Sequence, residues 1–170
     1  HEQMMLDFIN NVPDSLLLWK LNGGEETLNS YGIKVASLFN NEAKSDESIY
    51  NELINNIPKN HLQFFNSLAL SYQWGEYFFV HAGIDPDAPL DKQDKNTLIW
   101  QRRKKFLANT KTFEKIIVHG HTPQLEIENL ANRINLDTGA FYTGILSCLI
   151  IDTKTGKKKF INTKNSINYI

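Results

Sequence analysis

The segment Lys115-Ile116-Ile117-Val118-His119-Gly120-His121-Thr122-Pro123 constrains this chain most. A β-branched apolar run predicts a buried strand. It stops on a Gly-His-Thr-Pro turn. In open α/β sheets the ligand crevice lies outside the carboxyl ends of the strands. Gly120 leaves space beside an imidazole, and Pro123 cannot continue a ladder. A rigid strand end is a good place to hold a metal ligand. The plainer reading is a strand end that happens to carry histidines.

A second segment repeats the design. Glu76-Tyr77-Phe78-Phe79-Val80 reads as a buried strand, and His81-Ala82-Gly83 follows it. Two strand-end histidines from separate segments can converge on one crevice, as metal sites require. Taken alone, His81 reads as a half-exposed histidine at a strand edge.

Composition narrows the class. With 170 residues and 41% apolar content, the chain is expected to form one domain, 1–170, with a real core. The net charge of -1 gives no global field for nucleic acid. Arg102-Arg103-Lys104-Lys105 and Lys157-Lys158-Lys159 are local, and read as a solvated helix face and a turn or edge guard. Cys148 is the single cysteine, which excludes an intrachain disulfide and fits a reducing, cytoplasmic compartment. Its setting, Ile145 to Ile151, predicts a buried structural thiol. That run is too short to span a bilayer, so no membrane partner is expected.

Along the chain, Met4 to Asn11 predicts a helix, broken by Pro13. Asp14 or Ser15 is placed to cap a second helix, Leu16 to Leu21, ending at Asn22-Gly23-Gly24. Leu28 to Phe39 is expected to be partly helical, and Asn40 to Ser48 a loop. Ile49 to Ile57 predicts a helix that Pro58 divides from another through Phe64, Phe65 and Leu68. Leu70-Ser71-Tyr72 and Tyr77 to Val80 flank Trp74-Gly75 as a hairpin. Asp85 to Asp94 reads as a loop and Thr97 to Leu107 as a helix. Short strands follow: Ile116 to Val118, Gln124 to Glu128, Arg133 to Leu136, Ile145 to Ile151 and Lys158 to Ile161. Thr153 to Gly156 turns the last hairpin. Helices first and strands later predict α/β or α+β layers.

The motifs, taken together, resemble one family. His1-Glu2-Gln3-Met4-Met5 is similar to the tail of the Gly-Asn-His-Glu motif of metal-dependent phosphoprotein phosphatases, most closely the bacterial and phage serine/threonine branch. Val80-His81-Ala82-Gly83-Ile84 and Val118-His119-Gly120-His121-Thr122-Pro123 resemble its later metal-histidine motifs. Leu98-Ile99-Trp100-Gln101-Arg102 resembles its phosphate-gripping arginine motif. Asn135-Leu136-Asp137-Thr138-Gly139-Ala140 with Phe141-Tyr142-Thr143-Gly144 resembles the segment that closes the site. Leu21-Asn22-Gly23-Gly24, Thr27-Leu28 and Ser30-Tyr31-Gly32 also match the bacterial branch.

The resemblance implies a calcineurin-like phosphoesterase β-sandwich flanked by helices, here without its amino-terminal strands. It implies two divalent metal ions, manganese first, with iron or zinc as alternatives. His81 and His121 would be metal ligands and His1 the general acid. Arg102 would fork onto phosphate, with Arg103 as its neighbouring rival, and Tyr142 would lie beside the substrate or pack on the sheet. His119 is expected to be a supporting or core histidine, and His61 an exposed one.

The implied substrate is a phosphoprotein or phosphorylated small molecule, and the implied full-length state a monomer. The family's Gly-Asp-x-His-Gly and Gly-Asp-x-x-Asp-Arg-Gly signatures do not occur in the chain. The chain therefore resembles the carboxyl-terminal part of such an enzyme, with weak or no activity expected of it alone. A diadenosine tetraphosphate hydrolase is the alternative enzyme, although that branch tends to carry aspartate where Glu2 stands. A non-catalytic remnant serving as a binding module is the alternative of another class.

Overall fold

The structure is a computed structural model that describes residues 1–34 and 45–164. It divides into two compact units, His1–Leu68 and Ala69–Ile170.

The amino-terminal unit is helical among its described residues. Its elements are α1 (Glu2–Ile9), α2 (Ser15–Lys20), α3 (Gly24–Ser30), α4 (Asp46–Asn56) and α5 (Lys59–Ser67). Met4, Met5 and Phe8 form the apolar stripe of α1 and meet Leu16, Trp19, Leu28, Ile33, Ile49 and Leu53 in one core. The Phe8 ring lies 6.0 Å from Trp19 and edge-on to Tyr50 at 6.1 Å. Full burial of each large apolar side chain is worth about 1.5–3 kcal/mol.

Asn11 and Asp14 take positive φ (57° and 59°) around Pro13, a conformation these two residue types tolerate. Asp14 thus precedes α2 without a side-chain cap bond. Gly24 opens α3 instead of ending a helix, because a Cβ there would lie 2.7 Å from the Trp19 carbonyl and 2.8 Å from its ring. Asp46 to Ser48, expected in a loop, begin α4. The Ser45 hydroxyl accepts from Ser48 N–H at 3.2 Å and caps it. The remainder of the expected Leu28 to Phe39 helix and Asn40 to Ser48 loop falls largely outside the described residues. His61 is exposed as expected, with Nδ1 3.1 Å from the Tyr31 hydroxyl.

The carboxyl-terminal unit is mixed α/β. Its elements are β1 (Ser71–Trp74), β2 (Tyr77–Val80), α6 (Lys95–Trp100), α7 (Lys104–Leu107), β3 (Ile116–His119), β4 (Glu128–Asn129), β5 (Arg133–Asn135), α8 (Ala140–Thr143), β6 (Ser147–Ile151) and β7 (Lys158–Asn162). One sheet runs β1-β2-β3-β5-β4, and β6-β7 forms a separate ribbon. The predicted hairpin joins β1 to β2. The central pairs β2–β3 and β3–β5 are parallel, and the edge pairs are antiparallel.

Alternation along β2 sorts the two faces. Phe78 and Val80 face Ile84, Leu98, Phe106 and Ile117 beneath α6 and α7. Tyr77 and Phe79 take the other face, with Val118, Ile134 and the inward side of the ribbon, Leu149, Ile151 and Phe160. The central strands, covered on both faces, are the segments that read as continuous apolar runs.

Three expectations change here. The helix over Thr97 to Leu107 is two helices, separated at Gln101–Arg103. The strand over Gln124 to Glu128 shrinks to Glu128–Asn129. Cys148 is exposed, because Ser147, Leu149 and Ile151 take the inward positions of β6 and leave Cys148 and Ile150 outward. Within the loop after β2, Leu90–Lys92 adds one 3-10 turn. Among the described residues no helix is long and apolar enough to cross a membrane.

Candidate functional site

β2 and β3 lie side by side and parallel, with Phe79 opposite Val118. Both therefore end at the same edge of the sheet. The pairing continues one step beyond them, since Gly120 N–H donates to the His81 carbonyl at 2.9 Å. A Cβ on Gly120 would lie 3.7 Å from that carbonyl and 3.5 Å from Asp137 Cβ, which is ordinary contact, so the glycine sits between two strand ends.

His81 leaves β2 into solvent, and its neighbour Ala82 is fastened to α6 by an N–H bond to the Leu98 carbonyl at 2.8 Å. His121 turns back in the left-handed region, with φ 64°. A side chain with a Cβ pays about 1–2 kcal/mol to sit there. The turn is closed by Thr122 N–H on the Gly120 carbonyl at 2.8 Å.

This backbone brings the two rings together. Their centroids are 4.9 Å apart, and His81 Nε2 stands 3.1 Å from His121 Nδ1. Trp100 meets His121 edge-on at 5.7 Å. Arg102 Nε–H donates to His121 Nε2 at 3.0 Å. Guanidinium only donates, so His121 Nε2 must accept. The proton of the neutral ring then sits on Nδ1 and is given to His81 Nε2, which places the His81 proton on its own Nδ1. Burial, then the Arg102 charge, then His81 push the His121 imidazolium pKa down to about 4. The ring is neutral at pH 7, with its Nε2 lone pair taken by the Arg102 N–H.

Gln101 settles which arginine reaches the site. It is buried where α6 stops, donates to the Ile84 carbonyl at 3.2 Å and accepts from Arg103 N–H at 2.8 Å. Held so, the segment presents Arg102 to His121, while Arg103 caps α7.

His119 is a core histidine, as expected. It is buried, edge-on to Phe106 at 5.0 Å. Its Nδ1 stands 3.0 Å from the Gly120 carbonyl, and its Nε2 3.3 Å from Arg133 Nη1. Desolvation, reinforced by the Arg133 charge, lowers its pKa to about 4.

The described contacts thus join His81, Arg102 and His121. Tyr142 is exposed on α8, over Gly139 and edge-on to Phe141 at 4.8 Å, and takes no part in those contacts. His1 belongs to the amino-terminal unit. It caps α1 there, with its amino group 3.3 Å from the Glu2 carboxylate. Trp100 and Gln101 went unassigned in the sequence, although both lie within the segment quoted for Arg102.

A divalent ion bound by two imidazoles at the zinc-like distance of about 2.0–2.1 Å and an angle near 90–110° separates their nitrogens by about 2.8–3.4 Å. The 3.1 Å between His81 Nε2 and His121 Nδ1 fits that bite. Among the described residues no group of three His, Cys, Asp or Glu side chains gathers as a metal cluster. The pair therefore offers two donors to one ion, and the dinuclear centre implied by the resemblance needs donors beyond them. A comparison with protein-family models finds no match, and a comparison with curated proteins finds none either.

Proposed function

We infer that this chain contributes the His81–His121–Arg102 part of a site for metal-dependent hydrolysis of phosphate monoesters, with phosphorylated serine or threonine in a protein as the substrate class. The observation that carries the reading is the pair of imidazoles with facing nitrogens 3.1 Å apart, beside a guanidinium, at the ends of adjacent parallel strands. A divalent ion, manganese by preference, would supply an activated water and positive charge at the phosphoryl oxygens.

The chain's own residues do the rest. His81 and His121 stand at a rigid sheet edge, and His121 would turn its Nδ1 lone pair to the ion once its ring proton moves to Nε2 and Arg102 swings away. Arg102 carries a planar fork that suits two phosphoryl oxygens better than lysine would. His1, by the family resemblance, would protonate the leaving alkoxide. The sequence motifs support the reading, and the calcineurin-like β-sandwich is proposed along with it.

A second reading, a module that binds metal or phosphate without turnover, draws on the two-donor character of the site. The test uses the purified 170-residue chain with manganese, offered a phosphoserine peptide and diadenosine tetraphosphate in parallel. Manganese-dependent phosphate release from the peptide, lost in His121→Ala, supports the hydrolase. Manganese binding with neither turnover nor any tightening by the phosphoserine peptide supports the binding module. Neither binding nor turnover overturns both.

A further inference from the structure

Beneath the two histidines lies a polar cluster that no catalytic role has absorbed. Asn135, at the end of β5, is fully buried. Its Nδ2 donates to the Thr122 carbonyl at 2.8 Å, and its Oδ1 accepts from Asp137 N–H at 3.0 Å. The same amide also donates to Glu128 Oε2 at 3.3 Å. Glu128 is in turn held by Arg133 at 2.8 and 3.3 Å. Arg133, itself buried, reaches the Leu107 carbonyl at 2.8 Å. One amide therefore ties the turn after β3 to the chain after β5, and an ion pair between buried Arg133 and half-buried Glu128 fixes the amide.

We propose that Asn135 is the positioning residue for His121: its bond to the Thr122 carbonyl holds the positive-φ turn that points the His121 imidazole at His81. Three observations meet in this assignment. The His121 backbone is in a conformation that favours glycine, so something outside the turn must hold it. The turn's internal bond, Thr122 N–H to Gly120, spans only two residues. Asn135 supplies the side-chain bond to the carbonyl that follows His121, from a site where an unpaired amide would be costly. Glu128 and Arg133 leave Asn135 one orientation, with its amide toward Thr122. The proposal rests on the metal reading for its consequence, and on geometry alone for its substance.

The test compares Asn135→Asp and Asn135→Ser, neither of which carries an N–H that can reach the Thr122 carbonyl, with Ile134→Val. The last removes a methylene from the core face of the same strand. In the metal-free chain, NMR should show a nuclear Overhauser contact between the His81 and His121 rings. It should persist in Ile134→Val and vanish in both Asn135 variants while the core methyl spectrum stays folded. Manganese affinity should fall about 10- to 100-fold in the same two variants, in line with outer-shell substitutions at metal sites, and hold in Ile134→Val. Retention of the ring contact in folded Asn135 variants overturns the proposal. Unfolding of both Asn135 variants overturns it too, because it would make Asn135 a fold residue and not a positioning one. A wild-type chain with the ring contact but no manganese binding defeats the metal reading and leaves this assignment standing.

Discussion

At the scale of single residues, the site is defined by what each side chain can donate. Arg102 donates to His121 Nε2, so that nitrogen is unprotonated and Nδ1 carries the proton. An ion taking the Nδ1 lone pair would move the ring proton to Nε2, facing the guanidinium. Arg102 on His121 and an ion on His121 are therefore competing arrangements. Arg102→Ala is predicted to raise manganese affinity in phosphate-free buffer by about fivefold, equivalent to about 1 kcal/mol. The same substitution should abolish any gain in affinity on adding phosphate. Calorimetric titration checks both, and a fall in affinity without phosphate contradicts the competition. Part of this was legible in the sequence. His81 and His121 stand at the ends of apolar runs, and Arg102 follows Leu98-Ile99-Trp100. The positive φ of His121 and the hold of Asn135 were not legible, because both depend on which strand lies beside β3.

At the scale of elements, the apolar runs announced β2 and β3, because strands covered on both faces leave no polar alternation to misread. Errors fell where tertiary contacts override local pattern. Gly24 looked like a helix end and opens α3 against Trp19. The single helix expected over Thr97 to Leu107 breaks at Gln101, whose side chain is held by Ile84 and Arg103. Cys148 looked buried in an apolar run, but the ribbon of β6 and β7 has only one covered face. Native Cys148 should therefore react with an aromatic disulfide reagent at a rate close to that of the unfolded chain. Protection by orders of magnitude would put the thiol inside.

The end of β2 is packed closely against α7, since a Cβ on Gly83 would lie 2.5 Å from Phe106 Cε1 and 2.7 Å from Cδ1. Gly83→Ala is predicted to destabilise the chain by about 1–3 kcal/mol through overpacking. Urea denaturation reads this as a lower midpoint at unchanged slope.

At the scale of the whole molecule, two cores carry the chain: a helical one around Trp19, and a layered one with the five-stranded sheet between helices and the β6–β7 ribbon. The mixed α/β class followed from the order of the patterns, helices first and strands later. The division at Leu68 did not, because no glycine- or proline-rich linker marks it.

Stability should depend on pH in a window shared by His119 and His121, whose pKa values both fall to about 4 in the folded chain, with the more deeply buried His119 as its clearer case. Its folded pKa is about 4, against 6.5 for an unperturbed histidine. The unfolded chain binds the proton first, so this contribution is fully present above about pH 6.5 and is lost as pH falls toward 4. Metal-free urea midpoints should drop through that window, with a slope of about 1.4 kcal/mol per pH unit for each proton taken up. A flat profile contradicts a buried neutral His119.

The central claim is that His81 and His121 jointly hold a divalent ion. The most direct measurement is a manganese titration of the 170-residue chain by electron paramagnetic resonance, alongside His81→Ala and His121→Ala. Saturable binding of one ion, weakened at least tenfold by either substitution, is the predicted result. Equal titration curves for all three chains would contradict it.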